Sequence, residues 1–261
     1  MLLAHLSDLH FGGGDDIALE AVRFCLEQRR PDAIVVTGDI SRSGLVGELD
    51  EAFGWIRSLP APALVVPGNH DVPYYSLFGR ICDPFGPFDR AAEGVRLAHW
   101  HAPSWSITPI NTARGVQPRL NWAQGAVSRK QVENAIVEVR SAAPQALSIV
   151  ATHHPLQWPA SAPIRGRTWG GRAAQRALID AGARVFLGGH LHASRVEHLE
   201  GGRAISVSAG TLSRRLRDEP CGFAFLSQEI PSEVEVEFLY IKHGRAETST
   251  VQTFRLDGLW S

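Results

Sequence analysis

The segment Ala63-Leu64-Val65-Val66-Pro67-Gly68-Asn69-His70-Asp71 joins a short apolar run to a Pro-Gly pair and three polar side chains. The apolar run predicts a buried strand, and the Pro-Gly pair predicts its end. Four other segments have the same design, in which Asp or His closely follows a strand-like run. They are Asp8-Leu9-His10, Gly38-Asp39, His153-His154 and Gly188-Gly189-His190-Leu191-His192. Because ligand sites in open α/β sheets lie outside the carboxyl ends of the strands, we expect all five segments to meet.

Around these segments, short apolar runs alternate with amphipathic patterns, which indicates an α/β protein. Strands are predicted at residues 2–6, 33–37, 63–66, 105–110, 147–152, 185–187 and 204–208. Helices are predicted at residues 16–29, 48–58, 128–142 and 172–181, with Asp15 or Asp16 and Ser128 as caps. From Gly222 onward only strands are predicted. No repeat or linker interrupts the pattern, so residues 1–261 are expected to form a single domain.

The composition is that of an ordinary globular protein, with 44% hydrophobic and 20% charged residues. A formal net charge of -1 gives no reason to expect a nucleic-acid surface. No apolar run approaches the ~18 residues of a membrane span, and the start of the chain lacks a leader pattern, so the cytoplasm is the expected location. Dispersed cysteines suggest neither a zinc finger nor a redox pair. Cys25 shares an apolar helical stripe with Ile17, Ala21 and Phe24, which predicts a buried reduced thiol.

The five polar segments supply side chains that bind metal cations. Imidazole nitrogens combined with carboxylate or carbonyl oxygens suit Mn, Fe or Zn. Enough donors for two ions come from Asp8, His10, Asp39, Asn69, His153, His190 and His192. Two ions ~3.5–4 Å apart can activate a bridging hydroxide and bind both the attacking and the leaving side of a phosphoryl group. The donor set therefore predicts a dinuclear centre suited to phosphoester hydrolysis.

The order Asp-x-His, Gly-Asp, Gly-Asn-His-Asp, His and Gly-His-x-His over residues 8–192 resembles the calcineurin-like metallophosphoesterase family. The set is specific, whereas Gly38-Asp39 alone would be a weak signal. The resemblance implies a four-layer α/β/β/α sandwich of two mixed sheets flanked by helices. In that fold, the strands from Gly222 onward would complete the second sheet.

The resemblance also implies a role for each matched residue. One ion would be held by Asp8, His10, Asp39 and His192, and the other by Asp39, Asn69, His153 and His190, with Asp39 bridging. His70 would lie beside the leaving oxygen as a general acid or a stabilising donor, and Asp71 would orient it. Within His153-His154-Pro155 the family's ligand is the first histidine, so His154 is expected outside the coordination shell.

The early Asp-Leu-His-Phe and the Val-Pro-Gly-Asn-His-Asp run look most like bacterial class III cyclic-nucleotide phosphodiesterases, with glycerophosphodiesterases as near neighbours. The resemblance therefore implies hydrolysis of a small phosphodiester. The rivals are a phosphomonoesterase such as a protein phosphatase, the pyrophosphatase of lipid A synthesis, a DNA repair nuclease and a non-catalytic metal-binding scaffold. The pyrophosphatase family commonly has Arg where His70 stands. The near-neutral charge argues against the nuclease, and the complete ligand set argues against the scaffold.

Segments outside these motifs leave other questions open. Arg214, Arg215 and Arg217 follow a strand end and either contact a substrate phosphate or form a solvated turn. The roles of two long loops, residues 72–104 and 155–171, are not assigned, and the tryptophans of the second either stack on a nucleobase or pack a lid. His99 and His101 are expected to be surface or hydrogen-bonded histidines. A homo-oligomer through an alternating strand edge near residues 233–238 also stays open.

Overall fold

The computed structural model describes residues 1–118, 121–217 and 219–256. Its helices are α1 (Asp16–Arg29), α2 (Val46–Arg57), α3 (Leu77–Cys82), α4 (Gly86–Ala91), α5 (Arg129–Ser141) and α6 (Gly171–Ala181). Its first strands are β1 (Leu2–Leu6), β2 (Ala33–Thr37), β3 (Ala63–Val66), β4 (Trp100–His101), β5 (Trp105–Pro109), β6 (Gly125–Ala126) and β7 (Leu147–Ala151). They are followed by β8 (Thr168–Trp169), β9 (Val185–Gly188), β10 (Arg195–Leu199), β11 (Ala204–Ser208), β12 (Gly222–Ser227), β13 (Glu233–Lys242) and β14 (Arg245–Arg255).

Two six-stranded mixed sheets form the centre of the molecule. The first has the order β14-β13-β12-β1-β2-β3, and the second has the order β10-β11-β9-β7-β5-β4. In each sheet a parallel set of strands is extended by antiparallel ones. One apolar core lies between the first sheet and α1 and α2, a second between the sheets, and a third between the second sheet and α5 and α6. The expected α/β/β/α sandwich is confirmed.

The placement of the last strands corrects one expectation. Strands β12, β13 and β14 extend the first sheet, and β12 pairs directly with β1, whereas they were expected to complete the second sheet. The reason is visible in β12, which is buried from Gly222 to Leu226. Phe223 and Phe225 belong to the core under α1, while Ala224 and Leu226 belong to the core between the sheets. A strand that is apolar on both faces needs a central position covered from both sides.

Helix α1 has the predicted bounds and an N-cap at Asp15, but it buries a different face from the one expected. Ile17 and Phe24 are 67% and 63% exposed, and Cys25 is only half-buried. The buried residues are Ala18, Leu19, Ala21, Val22 and Leu26. The helix therefore carries two apolar stripes, and the sequence pattern alone did not show which one faces the sheet.

The two long loops contain short elements of their own. Helices α3 and α4 lie within residues 72–104, and β8 lies within residues 155–171, where it pairs with β6. No helix among the described residues has the length and apolar character needed to cross a bilayer. Both loops begin immediately after the polar segments that follow β3 and β7, so they border the place where those segments meet.

Candidate metal centre

The polar segments after β1, β2, β3, β7 and β9 meet at the carboxyl ends of these strands, as expected for an α/β fold. The first three strands belong to one sheet and the last two to the other. A hydrogen bond from His153 Nδ1 to the Thr37 carbonyl oxygen, 2.7 Å long, joins the two sheets at this point. The site therefore lies where the carboxyl ends of strands from both sheets come together.

Asp8, His10 and His192 form the first donor group. The Nε2 atoms of the two imidazoles are 3.4 Å apart. They lie 3.8 Å (His10) and 3.1 Å (His192) from Asp8 Oδ1. That oxygen is buried and accepts no backbone hydrogen bond from the described residues. A tetrahedral cation with bonds of about 2.1 Å keeps its ligands about 3.4 Å apart, so this spacing fits a metal ion.

The second donor group surrounds His153. Its Nε2 lies 3.2 Å from Asn69 Oδ1, 3.2 Å from His190 Nδ1 and 3.3 Å from Asp39 Oδ2. The bond from His153 Nδ1 to a carbonyl fixes the ring orientation and directs Nε2 toward the other donors. Because a ligand oxygen of Asp8 lies within 4.8 Å of ligand atoms in both groups, the groups adjoin.

Each carboxylate has one oxygen held by hydrogen bonds and one directed at imidazoles. Asp8 Oδ2 accepts from Ser7 Oγ at 2.6 Å and from the His190 backbone N–H at 2.9 Å. Asp39 Oδ1 accepts from the His70 backbone N–H at 2.7 Å. These bonds leave Oδ1 of Asp8 and Oδ2 of Asp39 as the oxygens that face the other donors.

The charges in the centre suit a cation. Burial favours neutral carboxyl groups, but the neighbouring histidines outweigh it and lower the pKa of both Asp8 and Asp39. Burial lowers the pKa of His10 to about 4 and that of His190 to about 3, so both imidazoles are neutral and offer a lone pair. Burial also opposes a charge on His153, but the Asp39 carboxylate prevails and raises the pKa of His153 to about 9, so a bound cation would take the place of the Nε2 proton.

Left-handed backbone conformations direct several of these side chains. Positive φ angles occur at Asp8 (55°), His10 (49°), Asp39 (50°), His190 (66°) and His192 (52°). The glycine before Asp39 is also required, because a Cβ on Gly38 would come within 2.8 Å of His153 Nδ1 and 2.7 Å of the Gly68 nitrogen. Tight turns with unusual φ values therefore bring the donors together.

His70 lies at the edge of the first donor group, with its ring centroid 5.0 Å from that of His10. Its Nδ1 donates to the Arg42 carbonyl oxygen at 2.7 Å, and its Nε2 accepts from Arg215 Nη1 at 3.0 Å. The carbonyl oxygen of Arg215 also accepts from His192 Nδ1 at 2.7 Å. Arg214, Arg215 and Arg217, singled out in the sequence, are all exposed, and Arg215 contacts the centre through His70 and His192.

Asp71, which was expected to orient His70, has both carboxylate oxygens hydrogen-bonded to other groups. Asp71 Oδ1 accepts from the backbone N–H and the hydroxyl of Ser41, both at 2.8 Å, and Oδ2 accepts from Gly68 N–H at 2.8 Å. The turn from Gly68 directs the carboxylate back into the loop, where it ties the segment after β3 to the segment after β2. The Arg42 carbonyl oxygen instead orients the His70 ring, by accepting a hydrogen bond from Nδ1.

His154 is next to the centre, but both of its ring nitrogens have other partners. Nδ1 lies 2.9 Å from Thr112 Oγ1, and Nε2 donates to the Ala123 carbonyl oxygen at 2.9 Å. Its ring is 4.6 Å from that of His190, and the two residues form a possible metal-binding group with His153. The two hydrogen bonds favour a structural role for His154 that holds the loop of residues 121–126.

The remaining candidates occupy other positions. Trp158 packs edge-on against His190, with 5.6 Å between ring centroids, and its indole N–H donates to Thr168. His99 lies 3.0 Å from the Thr108 hydroxyl, and His101 lies 3.3 Å from the Ser141 hydroxyl. With Glu138, these two histidines form a separate group outside the centre.

Several residues that hold the centre in place are not marked by any of the sequence motifs. Ser7 and Ser41 fix the carboxylates of Asp8 and Asp71, and Arg42 and Thr37 act through backbone carbonyl oxygens. Every residue type has a backbone carbonyl oxygen, so the sequence does not reveal such a contact. The position of Ser7 immediately before Asp8 was the one available signal.

Comparison with known proteins places this geometry in context. A family model described as calcineurin-like phosphoesterase matches residues 1–194. A probable cyclic nucleotide phosphodiesterase of Synechococcus is 32% identical over 80 residues, or 27% of this chain and 31% of the relative. A glycerophosphodiester phosphodiesterase of Enterobacter lignolyticus is 38% identical over 87 residues, or 27% of this chain and 30% of the relative. The matched segments thus span less than a third of either curated relative.

Among solved structures, a dimetal phosphatase from Danio rerio superimposes with a TM-score of 0.71 at 13% identity. The superposition covers 98% of this chain and 99% of that one. At this identity the likeness concerns the fold alone. It agrees with the two mixed sheets and flanking helices described above.

Proposed function

Because this chain belongs to the calcineurin-like phosphoesterase family, we propose that it hydrolyses small phosphodiesters, of the cyclic-nucleotide or glycerophosphodiester type, at a centre of two cations. The observation that carries this proposal is the meeting of two donor groups at the Asp8 carboxylate, each containing carboxylate and imidazole ligands. The names of the two curated relatives support the diester class, since both are phosphodiesterases.

The proposed ligands of one ion are Asp8, His10, Asp39 and His192, and those of the other are Asp39, Asn69, His153 and His190. Mn, Fe and Zn all suit this mixture of oxygen and imidazole nitrogen. When bound, two such cations supply an activated water and stabilise negative charge on the phosphoryl oxygens. The protein contributes the positions of the ligands and a buried, hydrogen-bonded support for both carboxylates.

His70 is proposed to donate a proton to the leaving oxygen. Its Nδ1 is engaged by the Arg42 carbonyl, so Nε2 is the atom available to the substrate. Arg215 Nη1 lies 3.0 Å from the same atom. A phosphodiester anion bound between the two side chains would accept hydrogen bonds from the guanidinium and from a donor at His70 Nε2.

A substrate panel with defined metals tests the reaction class. Protein reconstituted separately with Mn, Fe and Zn is assayed on bis(4-nitrophenyl) phosphate, 4-nitrophenyl phosphate, cyclic AMP, glycerophosphodiesters and single-stranded DNA. We expect the diesters to be hydrolysed with a higher kcat/KM than the monoester. A preference for the monoester would establish a phosphatase instead, and protein that stays metal-free and inert would end the proposal.

The acid role of His70 needs its own variant. His70→Ala should retain both metals and lose turnover, by about a hundredfold or more with a poor leaving group and less with a good one. His198→Ala, at an exposed histidine that packs on Phe254, serves as the matched control. Equal rates for His70→Ala and the parent protein on a poor leaving group would contradict the acid role.

A further inference from the structure

A cavity of about 620 Å³ opens beside the metal centre. It shares two residues with the centre, Asn69 and His70, and its other walls are Tyr74, Tyr75, Leu77, Arg80, Trp122 and Ala123. Sites for small molecules usually have volumes of about 300–1,000 Å³. A group attached to a phosphoryl centre near His70 would therefore reach this cavity.

One wall of the cavity is made of exposed apolar side chains. Tyr74, Tyr75 and Leu77 are 59%, 76% and 59% exposed, and the two tyrosine rings meet edge to face with 5.2 Å between centroids. Such side chains bury little area in the fold itself. Exposed apolar surface concentrated at the mouth of a site typically marks a binding surface.

Trp122 also lines the cavity, and contacts hold it and its neighbour in place. The guanidinium carbon of Arg80 lies 5.1 Å from the centroid of the Trp122 ring, and Arg80 Nε donates to the Gly115 carbonyl at 2.8 Å. His154 Nε2 holds the next residue through the Ala123 carbonyl. Because these contacts already hold Trp122 and Ala123, little conformational entropy would be lost when a ligand packs against the indole.

We propose that this cavity binds a planar aromatic ring carried by the leaving group of the phosphodiester, with Tyr75 and Trp122 as specificity-determining residues. The proposal rests on the proposed function, in which His70 lies beside the leaving oxygen. The cavity therefore lies on the leaving-group side of the phosphorus atom. Four of its eight lining residues carry aromatic rings, and Arg80 Nε is already engaged by the Gly115 carbonyl. A flat ring gains from such walls, whereas a polyol would need hydrogen-bonding partners.

Paired substrates separate ring recognition from leaving-group acidity. Methyl 4-chlorophenyl phosphate and methyl hexafluoroisopropyl phosphate have leaving groups of similar acidity, but only the first carries a ring. We expect the metal-loaded protein to prefer the aryl ester by about tenfold in kcat/KM, the usual size of one aromatic stacking contact. A ratio near one would overturn the proposal.

Two variants test whether the cavity residues cause the preference for the aryl ester. Trp122→Leu and Tyr75→Leu should each lower the aryl-to-alkyl ratio toward one, and Tyr75 is exposed enough that its replacement leaves folding intact. Phe24→Leu, at an exposed aromatic residue on α1 outside this cavity, is the matched control and should keep the parent ratio. A ratio unchanged in both cavity variants would also overturn the proposal.

A binding measurement distinguishes failure of the cavity proposal from failure of the proposed function. The metal-loaded protein is titrated with monomethyl phenylphosphonate and monomethyl methylphosphonate, whose P–C bond resists hydrolysis and whose methoxide is a poor leaving group. Tighter binding of the phenyl compound, by about tenfold and lost in Trp122→Leu, would support the cavity even if no ester were hydrolysed. Equal affinities would reject it even if hydrolysis were efficient.

Discussion

Backbone conformation at individual residues is part of the design of the centre. Five of the seven proposed ligands have φ values between 49° and 66°. A non-glycine residue there costs about 1–2 kcal/mol relative to the right-handed region. Hydrogen bonds hold the turns against this cost, including Asp8 N–H to the Gly38 carbonyl and His10 N–H to the Asp39 carbonyl, both 3.0 Å long. Strain of this kind is typical of functional sites.

Position 39 allows the strain to be measured. Asp39→Gly and Asp39→Ala both remove the carboxylate, so both should lose metal binding and activity. The glycine variant should nevertheless have the higher free energy of unfolding, by about 1 kcal/mol, because glycine adopts φ of 50° without a Cβ penalty. Urea denaturation of the metal-free proteins makes the comparison. Equal stability would show that Asp39 is not strained.

The adjacent histidines 153 and 154 should respond differently to substitution. His153→Ala should lose one ion, because its Nε2 faces Asn69, Asp39 and His190. His154→Ala should keep the parent metal content and mainly raise KM, since it loosens the loop held at Ala123. Metal analysis and steady-state kinetics on both variants check this, and loss of an ion from His154→Ala alone would reverse the assignment.

At this scale, the sequence was sufficient to identify the residues that meet, because Asp, Asn and His at strand ends form a recognisable pattern. It was insufficient for the residues that act through the backbone, and it did not show which of the three arginines Arg214, Arg215 and Arg217 contacts His70. Arg42 reaches His70 with a carbonyl oxygen, and Arg215 comes from a turn 145 positions away. Neither contact depends on a local pattern of side-chain types.

Among the elements, the helix ends predicted from the sequence agree with the structure where a cap or a glycine marks them. Helix α5 begins after Ser128, whose hydroxyl accepts from Gln131 N–H, and α6 ends at Gly182, as predicted. The buried face of α1 differs from the predicted one, since burial depends on which apolar stripe faces the sheet. Local patterns determine where a helix begins and ends, whereas packing determines its orientation.

The N-cap of α1 can be tested without touching the centre. Asp15 Oδ1 accepts from the N–H groups of Ile17 and Ala18 at 3.1 and 3.2 Å. Asp15→Ala should therefore lower the free energy of unfolding by about 1 kcal/mol and leave kcat/KM unchanged. Asp15→Asn keeps a capping oxygen and is the matched control. The cap assignment fails if Asp15→Ala has the same free energy of unfolding as Asp15→Asn and the parent protein.

For the whole molecule, the main consequence is that the two sheets share one centre. Asp8 and Asn69 follow strands of the first sheet, and His153 and His190 follow strands of the second. Bound ions would therefore connect the sheets and favour the folded state. At free metal concentrations about 1,000-fold above Kd, the gain would be about 4 kcal/mol per ion.

Chelation should accordingly lower the melting temperature of the metal-loaded protein, and added Mn or Zn should restore it. Calorimetry with and without EDTA measures the change. Asp39→Gly provides the control, because without its carboxylate the response to metal should be much smaller. A melting temperature independent of chelator would contradict shared ligation by the two sheets.

Metal content should be two ions per chain, although His99, His101 and Glu138 form a group of potential ligands outside the centre. That group is partly exposed, and both histidines have hydroxyl partners. His101→Ala should therefore leave the metal content at two. A third ion in the parent protein that disappears in His101→Ala would identify an additional site.

The sandwich as a whole was predictable from family resemblance, but the sheet that contains β12, β13 and β14 was not. Alternating residues in β13 indicate an antiparallel strand with unequal faces, and they carry no information about its partner. That choice depends on β12, which pairs with β1 across more than 200 positions of sequence. Pairing over such a separation is determined by the complete packing of both cores.

The left-handed turns bear on any attempt to transplant this chemistry. If the same seven side chains were grafted onto loops of ordinary right-handed conformation, their Cβ atoms would leave the main chain in different directions and the donors would diverge. A protein engineer would have to copy Gly38 and the bends at Asp8, Asp39 and His190 along with the ligands. For such a graft, the backbone conformation is as necessary as the ligand side chains themselves.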